Sequence, residues 1–420
     1  MAFLTKSGAN LQLNGSTVQL IGFNYYPALV DMTSLSTMRS LLDALAKRSE
    51  ACGLLRTWCF PVEKPPTNAN GNIFYESGGT MYLHETTAVQ LDNLLYEANK
   101  RGIKLVLSLA DNTSNYNTKS TYVTWANNVY SAGLSTAYPY VGFFNSSDCR
   151  NIYESNFSTL ANRTNTIDGI QYKNHPGIAW WELGNELRYD VFDAEGGTQN
   201  TASSTNIVNV MNWADDMAGR MKVIDTNHLV SFSSVAHTWN WTNGDTVSNG
   251  SGYGACYLLF PSLVNVDILD FHHYPTQGGG EVQILKYGQR LGYANAITGD
   301  GLRAQLRDFV DVIRAGNKIA GCGEVGFVRE VAASTQYFPL YPRHDAIKEI
   351  MDILFERGIS YVLPWSATVT GGGSYSIGLD ESGTRAYWGS NANSNDATLM
   401  EYIKKKNTQL NYPGKRSRIT

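Results

Sequence analysis

Apolar, β-branched runs alternate with amphipathic stretches along the whole chain of 420 residues. The runs have the length of buried strands, and the stretches between them follow the period of helices. Such alternation is typical of repeated strand–helix units around a parallel sheet. The predicted strands are Leu20–Tyr25, Leu54–Phe60, Lys104–Ala110, Ile178–Leu183, Leu229–Ser234, Ile268–His273, Lys318–Gly323 and Ile359–Trp365. The predicted helices are Thr37–Cys52, Glu85–Arg101, Ile152–Gln171, Asn206–Ile224, Leu302–Ala315, His344–Arg357 and Asp396–Lys406.

Eight strands, most of them followed by a helix, predict an α/β fold, a closed (β/α)8 TIM barrel with long loops on its C-terminal face. An open, doubly wound sheet is the alternative, but no glycine-rich phosphate loop follows an early strand. Asn10–Leu13 and Thr17–Leu20, joined through Asn14-Gly15, predict an N-terminal β-hairpin that plugs the barrel bottom. Because no linker separates two halves, residues 1–420 are predicted to form a single domain.

Composition excludes several classes of partner. The net charge is −4 and the basic residues are scattered, so a nucleic-acid partner is not expected. No apolar run is long enough to span a membrane, and no membrane partner is expected. Five cysteines without a CxxC pair predict no zinc site, and no metal or cofactor is expected. We expect a monomer that acts on a neutral substrate.

The N-terminus and the sequons bear on localisation. Residues 1–6 lack the pattern of a signal peptide, so either it has been removed or the protein is not exported by that route. Seven N-x-S/T sequons favour a secreted, extracellular protein.

Two glutamates follow apolar strand-like runs. Glu186 ends the sequence IAWWELGNE, and Glu324 lies within CGEVGF. By our count they follow the fourth and seventh strands, and a closed barrel can bring two such carboxyls to the ~5 Å separation of a retaining glycosidase. Trp180, Trp181 and Leu183 are expected to surround Glu186 with apolar groups that favour its protonated form.

The motifs WELGNE and GEVGF resemble those of glycoside hydrolase family 5, and specifically of its endo-β-mannanases. The stretches NGSTVQLIGFNYYPAL, LRTWCF, YVTWA, NRTNTIDGIQYKNHPGIAWWELGNE and WADDMAGRMKVIDTNHLV resemble the same enzymes in the same order, so the resemblance covers most of the chain. It implies a retaining hydrolase of β-1,4-mannosidic bonds in which Glu186 is the general acid/base and Glu324 the nucleophile. An exo-β-mannosidase, another β-glycanase and a non-catalytic glycan-binding protein are the alternatives.

The same resemblance implies a set of substrate-binding residues. Asn185 would bind the 2-hydroxyl of the sugar in the −1 subsite, and Arg56 and Tyr274 would lie beside Glu324. His272 and Tyr274 match the H-x-Y element of the family. Trp365 would form the floor of the −1 subsite, and Trp58 is a candidate for another subsite.

Two segments depart from the mannanase pattern. Ala110–Asn115 replaces an N-N-W element, and Ser233–His237 replaces a G-x-E-G element. Because these positions line the cleft in the family, the preferred glycan and the choice between endo and exo action stay open.

Overall fold

The structure is a computed structural model that describes residues 2–31, 35–47, 53–59, 73–112, 118–189, 204–235, 262–273, 299–326, 343–365, 367–368, 377–378 and 396–411. The strands are β1 Leu4–Ser7, β2 Asn10–Leu13, β3 Ser16–Thr17, β4 Leu20–Ile21, β5 Phe23–Asn24, β6 Gly53–Trp58, β7 Phe74–Ser77, β8 Thr80–Leu83, β9 Ile103–Ser108, β10 Ile178–Glu182, β11 Leu229–Val235, β12 Ile268–His273, β13 Ile319–Val325, β14 Tyr361–Pro364, β15 Ala367–Thr368 and β16 Ile377–Gly378. The helices are α1 Ala28–Asp31, α2 Leu35–Ala46, α3 Glu85–Lys100, α4 Thr118–Tyr130, α5 Pro139–Asn145, α6 Ser147–Ala161, α7 Ser204–Ile224, α8 Gly299–Ala315, α9 Arg343–Glu356 and α10 Asp396–Asn411, with a short 3-10 helix at Tyr172–Asn174.

A closed parallel barrel is the centre of the molecule. Its strand order is β4-β14-β13-β12-β11-β10-β9-β6-β5. β4 and β5 are two halves of the predicted first strand, since β4 pairs with β14 while β5 pairs with β6. The chain therefore forms the predicted (β/α)8 barrel, in which the first strand is divided at Gly22.

Gly22 is required where the first strand divides. A Cβ atom at this position would lie 2.3 Å from the carbonyl oxygen of Leu54 and 2.9 Å from Leu363. No side chain fits at such distances, so only glycine allows the first strand to contact both of its neighbours at this point.

The N-terminal hairpin packs against the bottom of the barrel. Asn14 and Gly15 both have positive φ, +53° and +77°, as a tight two-residue hairpin turn requires. Leu4 and Leu11 belong to the same buried cluster as Leu54, Val106, Ile268 and Ile319 of the barrel strands. The predicted plug is confirmed, with β1 as an additional strand paired to β2. The predicted second hairpin strand was wrong at its end, because Leu20 pairs with Tyr361 of the barrel instead.

The predicted helix Ile152–Gln171 was wrong in both of its bounds. α6 begins at Ser147, because the hydroxyl of Ser146 caps it by accepting the N–H of Asp148. It ends at Ala161, and the next residues form a loop held by Asn165, whose side chain accepts the N–H of Ile167. The hairpin β7–β8 and the helices α4 and α5 were not predicted. Within the described ranges, no helix is long and apolar enough to cross a bilayer.

Candidate active site

The predicted site residues that the structure describes lie at the C-terminal ends of barrel strands. This is the end of a (β/α)8 barrel at which active sites are built. Arg56 and Trp58 are on β6, His272 is on β12 and Glu324 is on β13, while Asn185 and Glu186 follow β10 and Trp365 follows β14. Tyr274 lies outside the described residues, so its predicted place beside Glu324 stays a prediction.

Arg56 is the centre of a hydrogen-bond network inside the barrel. Its side chain is fully buried, and all five of its N–H groups donate to side-chain oxygens. The acceptors are Glu182 Oε2 at 2.9 Å, Glu182 Oε1 at 2.7 Å, Glu324 Oε1 at 2.7 Å, Asn185 Oδ1 at 2.7 Å and Asn24 Oδ1 at 3.0 Å. Burial alone would lower the pKa of Arg56, but Glu182 and Glu324 raise it well above its usual value. The guanidinium therefore stays charged and holds Glu324 in place.

Glu182 is a functional neighbour that the sequence analysis missed. It is completely buried on β10 and forms a two-point ion pair with Arg56. The available signal was its position: Glu182 is two residues after Trp180 on an apolar strand, so both side chains face the same side of the sheet. The pair uses Nε and one N–H of Nη2, so the other three N–H groups of Arg56 donate to Asn24, Asn185 and Glu324.

Glu186 and Glu324 lie close together across the rim of the barrel. The two carboxylates offer oxygens within 4.8 Å of each other. The Glu324 side chain is 5% exposed and that of Glu186 is 22% exposed. Glu186 has a φ of +53°, a left-handed conformation that is uncommon for residues other than glycine. The backbone turn after β10 thus sets the direction of this side chain at some conformational cost.

Both polar atoms of the Asn185 side-chain amide are hydrogen-bonded. Its Oδ1 accepts from Arg56, and its Nδ2 donates to Asp111 Oδ1 at 2.8 Å. The backbone of Asn185 also pairs with that of the β9 end, where its N–H donates to Ala110 O at 2.8 Å. Asp111 therefore orients Asn185, and it belongs to the segment Ala110–Asn115 that departs from the mannanase pattern.

His272 joins the two catalytic candidates. Its Nδ1 lies 2.8 Å from Glu186 Oε1 and 3.5 Å from Glu324 Oε1, and its Nε2 lies 2.8 Å from Ser233 Oγ. Burial alone would lower the pKa of this ring, but the charges of Glu324 and Glu186 outweigh burial and raise it. The ring nitrogen Nδ1 therefore lies beside both carboxylates, and their charges favour its protonated form.

The raised pKa of His272 also bears on metal binding. The ligand atoms of Glu186, His272 and Glu324 are near enough to one another to surround a cation. A histidine binds a metal through a ring nitrogen that carries no proton, and the raised pKa favours the protonated form instead. The chemistry of this donor set thus favours a proton-sharing group over a metal site.

Three aromatic rings form a wall at the open end of the barrel. Tyr26 stacks on Trp365 with ring centroids 5.5 Å apart and planes at 10°, and Tyr26 lies 4.6 Å from Trp58. Tyr26 is 36% exposed. Aromatic faces of this kind pack against the C–H face of a sugar ring.

The two tryptophans expected to enclose Glu186 lie elsewhere. Trp180 points into the barrel and packs on Tyr361, with centroids 4.7 Å apart. Trp181 points to the helix layer, where it packs on Phe157 and donates to Asp225 at 2.7 Å. The prediction was wrong because strand side chains alternate between these two layers below the rim. Glu186 instead contacts the polar ring of His272.

Paired carboxylates, a buried arginine and an aromatic wall at the C-terminal rim of a (β/α)8 barrel define a site of the glycoside hydrolase class. The family model described as "GH family 5 beta-mannosidase-like" matches residues 2–247, which is more than half of the chain. The chain therefore belongs to glycoside hydrolase family 5, as the sequence analysis expected.

Individual proteins agree with that assignment. The chain is 25% identical to mannan endo-1,4-beta-mannosidase 1 of Arabidopsis thaliana over 84% of this chain and 78% of that protein. It is 29% identical to mannan endo-1,4-beta-mannosidase 1 of Oryza sativa subsp. japonica over 66% of this chain, but the match spans only 59% of the rice protein. The solved endo-1,4-beta-mannanase from Rhizomucor miehei has the same fold, with a TM-score of 0.73, 17% identity, and 97% of this chain and 100% of that chain covered.

Proposed function

We propose that this protein hydrolyses β-1,4-mannosidic bonds in mannans with retention of anomeric configuration. The observation that carries the proposal is the distance of at most 4.8 Å between carboxylate oxygens of Glu186 and Glu324. Retaining glycosidases keep their two carboxyl groups about 5–5.5 Å apart, whereas inverting enzymes need about 6.5–9.5 Å to admit a water molecule.

Two displacements complete the proposed reaction. First, a carboxylate oxygen of Glu324 attacks the anomeric carbon while Glu186 gives its proton to the departing glycosidic oxygen. Glu186, now ionised, then removes a proton from water, which attacks the same carbon and breaks the bond to Glu324. The sugar leaves with its original configuration, and both glutamates return to their starting protonation states.

The neighbours of the two glutamates support these different roles. Glu324 is nearly buried and receives a 2.7 Å hydrogen bond from the charged Arg56, which favours the ionised form that a nucleophile requires. Glu186 is the more exposed of the pair, as a group that exchanges protons with the leaving oxygen and with water must be.

Binding of the sugar is assigned to groups around the pair. Trp365 presents a ring for the −1 sugar, with Tyr26 and Trp58 beside it for the next unit. Asn185 Nδ2 uses one N–H for Asp111 and has a second that can reach the 2-hydroxyl. Fixing the amide in advance lowers the entropic cost of this contact in the transition state.

The names of the plant relatives support mannan as the substrate. A polysaccharide of this kind lies outside cells, so we propose a secreted protein that acts as a monomer. Hydrolysis by two glutamates uses no metal or cofactor.

Glu186→Gln and Glu324→Gln test the catalytic assignment. Each variant should release at least 1,000-fold less reducing sugar from mannan, since each removes an essential group while keeping the shape of the side chain. Glu85→Gln is the matched control, because Glu85 is an exposed glutamate at the start of α3, where it pairs with Arg163 away from the rim. Near-parental turnover by either folded rim variant would refute the assignment.

Substrate and stereochemistry need three further measurements. Mannohexaose should give a mixture of short oligosaccharides for endo action and mannose alone for exo action. Proton NMR during hydrolysis should show the β-anomer first, and an α-anomer would refute retention. Cleavage of carboxymethylcellulose without cleavage of mannan would replace the substrate by a β-glucan.

A further inference from the structure

Asp270 is a buried carboxyl group that the proposed reaction does not use. It lies on β12 two residues before His272, and both side chains point into the barrel. Asp270 Oδ2 accepts from the hydroxyl of Tyr361 at 2.9 Å. Asp270 Oδ1 has no hydrogen-bond partner among the described residues, and it lies 3.7 Å from His272 Nε2.

The fold makes room for this carboxyl group. The register between β12 and β13 shifts at this point, where Phe271 pairs with Cys322 and His272 pairs with Glu324. The residue passed over is Gly323, and a Cβ atom there would lie 2.2 Å from Asp270 Oδ2. Asp270 therefore occupies the volume that any other residue at position 323 would need.

Charged and titratable groups face Asp270 from several strands. They are Arg56 of β6, Glu182 of β10, His272 of β12, Cys322 of β13 and Tyr361 of β14. Burial and the charge of Glu182 raise the pKa of Asp270 to about 6, while His272 and Arg56 act in the opposite direction. At neutral pH the carboxylate is thus mostly ionised, and its oxygen Oδ1 lies 3.7 Å from Nε2 of His272.

We propose that Asp270 is a positioning residue whose carboxylate is the buried counter-ion of a protonated His272. The pair keeps the ring fixed with its Nδ1–H directed at Glu186 and Glu324. Ser233 alone would not select this state, since its hydroxyl can either donate to Nε2 of a neutral ring or accept from a protonated one. The negative charge of Asp270, 3.7 Å from Nε2, favours the protonated form.

The proposal rests on the proposed function only for its catalytic consequence. A fixed cation beside the two glutamates offsets the repulsion between their carboxylates and orients Glu186 through the 2.8 Å bond from Nδ1 to Oε1. Loss of the cation would lower kcat more than it raises KM, because Asp270 is buried below the rim and is not placed to contact sugar.

Nitrogen-15 NMR of labelled histidine tests the proposal directly. In the parent protein at pH 7, His272 should give the signals of an imidazolium, identified by their loss in His272→Gln. In Asp270→Asn its titration midpoint should fall by about 1–3 pH units, because an opposite charge within a few ångströms has been removed. A neutral His272 in the parent, or an unchanged midpoint in folded Asp270→Asn, would overturn the proposal.

Asp225→Asn is the matched control. Asp225 is also a buried aspartate beside a histidine, with Oδ2 2.7 Å from His228 Nδ1, but it precedes β11 at the opposite end of the barrel. This control should change the His228 signals and leave those of His272 in place. A His272 change of equal size in the control would show a general loss of structure and would overturn the proposal.

Tyr361→Phe serves where Asp270→Asn does not fold. It removes the hydrogen bond that lowers the pKa of Asp270, so a larger fraction of Asp270 is protonated and uncharged near neutral pH. The titration midpoint of His272 should then fall by a smaller amount than in Asp270→Asn, and no change would overturn the proposal. The readout needs no activity: a protein that hydrolyses no mannan would refute the proposed function, while the NMR titration would still decide the role of Asp270.

Discussion

Arg56→Lys is the sharpest test of the network that holds the site together. Arginine makes five hydrogen bonds here, whereas lysine has three N–H donors. At least two bonds to buried side-chain oxygens are therefore lost, although the charge is kept. Hydrogen bonds that involve charged groups contribute about 1.5–3 kcal/mol each, so the free energy of unfolding should fall by about 3–6 kcal/mol.

That loss is large beside the ~5–15 kcal/mol by which domains are usually stable, and it should be measurable by urea unfolding followed by tryptophan fluorescence. The variant should also lose activity on mannan by roughly 100-fold, because Glu324 is no longer held to within a fraction of an ångström. An unfolding free energy within about 1 kcal/mol of the parent, together with near-parental turnover, would refute the central role of Arg56.

Arg163→Lys is the control for this prediction. Arg163 makes four hydrogen bonds to Asp92 and Glu85 in the helix layer, away from the rim. Lysine can keep up to three of these bonds, so we expect a loss of about 1.5–3 kcal/mol in stability and no change in the pH dependence of hydrolysis. Equal catalytic losses in both variants would indicate a general effect of arginine replacement.

Two further variants probe the scaffold. Gly22→Ala should lower the unfolding free energy by about 3 kcal/mol or more in urea, because its Cβ would lie 2.3 Å from the carbonyl of Leu54, and a stable variant would refute the close approach. Asp92 is fully buried, and although burial alone would raise its pKa, hydrogen bonds from Arg163, Tyr172 and Thr166 lower it. A depressed pKa contributes its full stability above the unfolded value of about 3.9 and loses it as the pH falls toward the folded value. Asp92→Asn should therefore cost about 3 kcal/mol at pH 7 and clearly less at pH 3, and an equal cost at both would contradict this.

Much of the barrel could be predicted because its strands are buried on both faces. Mainly apolar runs such as Ile178–Leu183 and Ile268–His273 are short and distinct, and each contains a strand of the observed sheet. Helix bounds were harder. At the end of α6, the side chain of Asn162 donates to the carbonyl of Ser158 in the last turn, and the side chain of Asn165 accepts the N–H of Ile167 in the loop that follows. Hydrophobic spacing carries no information about such bonds.

The motifs and the family resemblance identified the two glutamates and predicted Arg56 beside Glu324, but the ion pair of Arg56 with Glu182 came only from the structure. Arg56 and Glu182 lie 126 positions apart on strands separated by β9, so no local pattern joins them. Asp270 and His272 carried a visible signal, since polar residues at alternate positions of an apolar strand face the same layer. The barrel register then decides which strands those side chains meet.

The barrel interior changes in character from bottom to rim, and this change explains why the site can hold so many charges. The lower layers contain Leu4, Leu11 and the packed rings of Trp180 and Tyr361, all shielded from water. Buried ions cost free energy unless they are paired and fully hydrogen-bonded, and above these layers Arg56 satisfies all five of its donors. The apolar layers offset the cost of that network through burial, while they also exclude the water that would weaken it. A rim of this kind holds its carboxylates in position before substrate arrives, so a mutation in the network should affect stability and turnover together.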